Sequence, residues 1–202
     1  MSLKLYTNQK SRGVVVEWLL LELGVEYERI ELAYHTDMKT PEYLTLNPFG
    51  KVPTLVDDGV VIYELGAICA YLTDKFADKG FAPALNDPQR GVYYRWLFFM
   101  SGPWEALSVD QMRGINIQPD QKMFVSYGDH QDAHRALIQG IEAANPYLCG
   151  EQFTTADILV AAILLWQLKI GTLQSDPVIA NYLAHIQQRP TYQKVTQLFG
   201  DE

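Results

Sequence analysis

Three short stretches carry residue types suited to holding a small charged molecule. The first is TNQKSRG, residues 7–13, which leads into an apolar run and places a hydroxyl, Ser11, beside the cation Arg12. A helix beginning there offers free backbone amides and the positive end of its dipole, a setting that favours an anion. A serine in that position also serves as an ordinary N-cap. The stretch holds no cysteine, so dithiol exchange lacks a nucleophile, and Thr7 is the next nearest hydroxyl. The second stretch is Val52-Pro53, just ahead of a strand signal. A cis bond would reverse the chain and leave the Val52 amide and carbonyl open to an extended peptide; a trans bond is the commoner state. The third is Glu64, at the head of an apolar segment. Its carboxylate complements a helix dipole, or takes an ammonium while the amide of Leu65 takes a carboxylate. The latter pair of contacts would recognise both ends of an α-amino acid.

These residues need a scaffold, and the first eighty positions alternate strand and helix signals. LKLYT (3–7) is short and β-prone. VVVEWLLLELG (14–24) is apolar on nearly every face, so it must be covered on several sides, and it ends at Gly24. VEYERIEL (25–32) reads as a second strand, which makes a βαβ unit with parallel strands. After a loop, PTLVDDGVVIY (53–63) predicts a hairpin around Asp57-Asp58-Gly59, and ELGAICAYLTDKF (64–76) a helix carrying Ile68, Tyr71 and Leu72 at helical spacing. The order βαβ then ββα is that of a thioredoxin-like α/β domain, expected over residues 1–78.

A Gly- and Pro-bearing linker is expected at 79–88 and an all-helical C-terminal domain at 89–202. Its helices are predicted at 90–100, with Tyr93, Trp96, Leu97 and Met100 on one face, at 132–144 and at 155–170. Two more open at Asp176-Pro177 and Arg189-Pro190. Thr154 with Asp157 three residues later spells a capping box. Residues 104–128 are long and weakly periodic.

With 48% apolar and 20% charged residues over 202 positions, the chain is globular rather than disordered. A net charge of −8 argues against nucleic acid or an anionic membrane surface as partner, since both require a basic patch. ILVAAILLW (158–166) falls short of the roughly 20 apolar residues that span a bilayer. The first ten residues, broken by polar groups, carry no signal-peptide pattern. Cys69 and Cys149 lie in or beside apolar stretches and are expected to be buried free thiols rather than a disulfide or metal pair. A cytoplasmic protein without a metal is the expectation.

LYTNQKSRG…WLLLELGVEYE, PEYLTLNPFGKVPTLVDDG, YELGAICAYLTDKF and FTTADIL together resemble a bacterial cytosolic glutathione transferase of the serine type, over nearly the whole chain. The resemblance implies that the first domain binds glutathione as co-substrate. The backbone of Val52, before a cis Pro53, would hold the cysteinyl part. Glu64 and the amide of Leu65 would take the γ-glutamyl end, and Lys51 the glycyl carboxylate. Ser11 would hydrogen-bond the sulfur. A free thiol near pKa 8.5 is only about 3% ionised at pH 7, so such a bond raises the supply of nucleophile. Attack on small hydrophobic electrophiles, a detoxification chemistry, would follow. The helical domain would supply most of the second-substrate pocket, with Tyr94 and Trp104 as candidates among Tyr93, Trp96 and Phe99. A homodimer is the usual assembly.

One residue departs from the family pattern: Leu65 stands where a serine usually follows the glutamate. The amide survives and the hydroxyl does not. Loss of one hydrogen bond to a charged ligand costs roughly 1.5–3 kcal/mol, about ten- to a hundredfold in affinity. Weakened binding is expected, and a non-catalytic binding or regulatory protein of the same fold is the alternative.

Overall fold

The computed structural model describes residues 2–198, which divide into two compact units: the segment through Lys79 together with that from Arg189 onward, and Gly80–Gln188. In the first unit, β1 (Leu3–Thr7) alternates buried Leu3, Leu5 and Thr7 with half-buried Lys4 and Tyr6, the period of a strand with one face in a core. Helix α1 (Gly13–Leu23) stops at Gly24, whose φ of 65° lets its amide reach the Leu20 and Leu21 carbonyls. Strand β2 (Glu28–Glu31) is shorter than the sequence suggests and runs parallel to β1. Its exposed Glu28, Arg29 and Glu31 suit an edge strand, where charge discourages further pairing.

Residues 33–52, read from sequence as loop, contain a 3-10 turn at Asp37–Lys39 and a six-residue helix, α2 (Pro41–Leu46). Six residues are too few to show a helical period. The start is local instead: the Thr40 hydroxyl accepts the Tyr43 amide at 3.3 Å and Pro41 fills the first turn. Strands β3 (Thr54–Asp57) and β4 (Val60–Tyr63) form the expected hairpin. Asp58 and Gly59 turn it with φ of 45° and 89°, the pair of positive values that a two-residue type I′ turn demands. The sheet order is β2-β1-β3-β4, and helix α3 (Leu65–Lys75) follows.

In the second unit, α4 (Gln89–Ser101) buries Arg90, Tyr93, Trp96, Leu97 and Met100. Gly102 breaks it, and α5 (Pro103–Met112) starts on Pro103. The weakly periodic stretch therefore holds a helix first and irregular chain after it, with a 3-10 turn at Lys122–Phe124. Helices α6 (His130–Glu142) and α8 (Pro177–Ile186) are capped by Asp129 and Asp176. Helix α7 (Thr155–Lys169) opens on the expected capping box. The buried Asp157 carboxylate accepts the Leu148 and Thr154 amides at 2.9 Å and the Thr154 and Tyr182 hydroxyls at 3.0 Å. Among the described residues no helix is long and apolar enough to cross a membrane.

The structure departs from the expected boundaries at two places. The expected linker is bound into the second unit, where the Phe81 carbonyl accepts the Thr155 amide at 2.8 Å and Arg90 donates to the Pro83 carbonyl at 2.9 Å. The last stretch, with α9 (Tyr192–Leu198), belongs to the first unit instead of the helical one. Arg189 clasps the Glu22 carboxylate through Nε and Nη2 at 2.9 and 2.8 Å, Thr191 donates to the same group, and Tyr192 packs 5.7 Å from Trp18. With β1, α3 and α9 all in contact with it, α1 needs no polar face.

Candidate functional site

Strand register brings the three suggestive stretches to one end of the sheet's strands. Tyr6 of β1 pairs with Thr54 of β3, which pairs with Tyr63 of β4, while Thr7 pairs with Glu31 of β2. The ends of β1, β2 and β4 and the start of β3 therefore lie side by side. Ser11 follows the first, Val52-Pro53 precedes β3, and Glu64 follows β4. Loops beyond the carboxyl ends of parallel strands are where open α/β sheets hold their ligands.

Ser11 is half-buried just ahead of α1. Its hydroxyl donates to the Asn8 carbonyl at 2.7 Å and accepts the Gly13 amide at 3.0 Å, so it serves the helix start and keeps its proton on a neutral acceptor. Asn8 shapes this loop: its side chain accepts the Lys10 amide at 2.9 Å and donates to the Leu32 carbonyl at 2.8 Å. Gly13 is required by close approach, since a Cβ there would stand 2.0 Å from the Thr7 hydroxyl. Thr7 is fully buried and donates to Glu17 at 3.1 Å, which removes it as an alternative to Ser11.

The Val52-Pro53 bond is cis. Neither the amide nor the carbonyl of Val52 has a hydrogen-bond partner among the described residues. The preceding carbonyl, of Lys51, is pinned by the Tyr43 hydroxyl at 2.6 Å and the Asn47 amide at 2.9 Å, and Thr54 bonds both of those side chains. A buried polar cluster thus aims one unpartnered peptide unit. Sequence reasoning missed Tyr43, Asn47 and Thr54, although Asn47 opens the N-P-F-G-K-V-P run. Gly50, at φ 56°, lies so close to the Met38 carbonyl that a Cβ would stand 2.5 Å away. Lys39 ties down the same loop by donating to the Phe49 and Gly50 carbonyls at 2.9 Å, and Lys51 itself is exposed.

Glu64 is exposed and holds φ 75°, ψ 118° immediately before α3. A side-chain-bearing residue in that region costs on the order of 1–3 kcal/mol, and such outliers gather at ligand sites. No side chain caps α3, and its first internal bond runs from the Ile68 amide to the Glu64 carbonyl at 2.9 Å. The amides of Leu65, Gly66 and Ala67 are left at an open helix head, the natural seat of a carboxylate. The Leu65 side chain turns the other way, 7% exposed in the core.

The two aromatic candidates differ. Tyr94 is half-buried beneath the Arg90 guanidinium, 4.9 Å from its ring. Trp104 is 3% exposed and donates its indole N–H to Gln167 at 2.9 Å, a packing role within the helical unit. Cys69 and Cys149 are buried free thiols.

Comparisons with known proteins bear on the fold and the family. Models of the glutathione S-transferase N-terminal and C-terminal domains match residues 1–74 and 117–190. Glutathione S-transferase 3 of Schizosaccharomyces pombe is 30% identical over 165 residues, covering 74% of this chain and 67% of its own. Glutathione S-transferase 3 of Zea mays is 28% identical and covers 95% and 92%. Among solved structures, a glutathione transferase from Methylococcus capsulatus superposes with a TM-score of 0.80 at 27% identity, covering 98% of both chains. A sphingomonad glutathione S-transferase complexed with glutathione gives 0.76 at 25% identity, covering 98% and 100%. Relatives come from plants and fungi as well as bacteria, so the matches do not single out the bacterial serine-type branch suggested by the sequence. Both domain models match in order, and the likeness runs the length of the chain: this protein belongs to the glutathione S-transferase family.

Proposed function

We propose that this chain is a glutathione transferase that activates the tripeptide as its thiolate for attack on small hydrophobic electrophiles. The observation that carries the reading is the meeting, at one end of the sheet's strands, of the Ser11 loop, the unpartnered peptide unit of Val52 before cis Pro53, and the uncapped α3 head behind Glu64. Val52 pairs with the cysteinyl backbone as an added strand would. The open amides from Leu65 onward take the γ-glutamyl carboxylate, Glu64 its ammonium, and Lys51 the glycyl carboxylate. Ser11 turns its proton from the Asn8 carbonyl to the sulfur, because a hydrogen bond to an anion is roughly twice as strong as a neutral one. The thiol proton leaves to water. The sulfur then bonds the electrophilic carbon, and the leaving group departs with its electrons. Tyr94 is retained as a contact for the second substrate, and the protein works as a cytoplasmic homodimer in the family manner.

A binding or regulatory protein without turnover is the second reading, favoured by Leu65, which offers no hydroxyl to the ligand. Retention on immobilised glutathione followed by conjugation of a model aryl halide separates the two. Turnover that falls about a hundredfold in Ser11→Ala, with retention intact, is the expected result. Retention without turnover in the unaltered protein selects the second reading.

A further inference from the structure

Tyr34 lies outside every role assigned above, yet the chain places its hydroxyl beside Ser11. Two loops make this happen, those following the parallel strands β1 and β2. They are joined by four hydrogen bonds: Leu32 amide to Thr7 carbonyl at 2.9 Å, Asn8 side chain to Leu32 carbonyl at 2.8 Å, Gln9 amide to Glu31 carboxylate at 3.0 Å, and Tyr34 hydroxyl to Lys10 carbonyl at 3.2 Å. The second loop is braced from within by Ala33, whose amide reaches Asp37 at 2.9 Å. Its backbone is held at φ 67° at His35, a left-handed value uncommon for a residue with a side chain.

We propose that the Tyr34 hydroxyl is a second hydrogen-bond donor to the glutathione sulfur, sharing the thiolate with Ser11. This rests on the reading above, which puts the sulfur at Ser11. The phenol donates to the carbonyl of Lys10, the residue just before Ser11, and Ser11 bears on its ionisation, so a sulfur bound at Ser11 would lie beside both hydroxyls. Its present bond, at 3.2 Å to a neutral carbonyl, is long for an O–H donor and is readily exchanged for a charged acceptor. Tyr34 is 46% exposed, so a ligand can reach it. The charged and titratable neighbours are Arg12, Glu31 and His35, whose ring centre is 6.4 Å away. Burial raises the phenol pKa above its ordinary value, opposed by Arg12 and Ser11, and the group therefore stays a donor throughout the range in which a thiol ionises. Two donors also explain how a serine already engaged at its helix start can support an anion.

The test is the apparent pKa of bound glutathione, read from ultraviolet thiolate absorbance against pH, in the unaltered protein, Ser11→Ala, Tyr34→Phe and the double variant. Tyr34→Phe removes one exposed oxygen and is expected to raise that pKa by about one unit. The KM for glutathione should change less than twofold, and the double variant should approach free glutathione. If Ser11→Ala raises the pKa and Tyr34→Phe does not, the Tyr34 proposal is overturned while the transferase reading stands. A higher KM with an unchanged pKa also overturns it, since that marks a residue that only shapes the site. If the unaltered protein binds glutathione without any lowering of its thiol pKa, the activation reading falls and takes this one with it.

Discussion

At Leu65 two demands meet in one residue: its amide lies at the open head of α3, proposed above to take a carboxylate, and its side chain belongs to the core. A serine there adds the missing hydroxyl and removes a buried isobutyl group. Leu65→Ser is therefore expected to tighten glutathione binding about tenfold while lowering stability by about 3 kcal/mol. Calorimetric titration and urea unfolding measure the two effects separately, and an unchanged dissociation constant would mean the carboxylate is held elsewhere. Ser11 and Glu64 stood out in the sequence because each is a residue type beside a helix signal, whereas Val52-Pro53 by itself left a trans bond the commoner state and only the family resemblance implied cis. Asn8 and Tyr34 did not stand out, since their roles come from bonds between loops more than twenty residues apart. The left-handed backbone at Glu64 was hidden for a different reason. Conformational cost is visible only when the surrounding chain imposes it.

Among the elements, α7 owes its start to one carboxylate. Asp157 is fully buried, and burial raises its pKa despite the two amides and two hydroxyls that stabilise the anion. Asp157→Ala leaves those four donors without an acceptor, so a loss of about 2–4 kcal/mol is expected, read as a lower urea midpoint with glutathione affinity little changed once folded. That box was readable as Thr-x-x-Asp, and the Asp-Gly hairpin was equally plain. Helix α2 was not, because its six residues show no period. Nor was the division of residues 104–128, where a Gly-Pro pair starts α5 before the sequence shows any apolar repeat.

For the molecule as a whole, the return of the chain after Arg189 is the feature least visible in sequence. Glu22 and Arg189 are 167 residues apart, and nothing local marks them as partners. Burial pushes the Glu22 carboxyl up, but hydrogen bonds from Arg189, Thr191 and Trp18 outweigh it and hold the folded pKa below the usual 4.5. The sign follows directly: the clasp stabilises the fold above that ordinary value and is lost as pH falls through the lower folded one. Glu22→Gln should cost about 2 kcal/mol at neutral pH and progressively less as pH falls below the ordinary carboxylate value, where the unaltered protein loses the same contribution. Urea midpoints across that range check it, and protease cleavage ahead of α9 should speed up in the variant at neutral pH.

The two cysteines carry a consequence for the proposed reaction with electrophiles. Burial pushes the Cys69 thiol up to about 12 and that of Cys149 to about 11. At neutral pH roughly one Cys69 in a hundred thousand is ionised, and it lies where no reagent in solution can touch it. Under the proposed activity, neither cysteine thiol competes with bound glutathione for an alkylating compound, so the polypeptide's own thiols are spared.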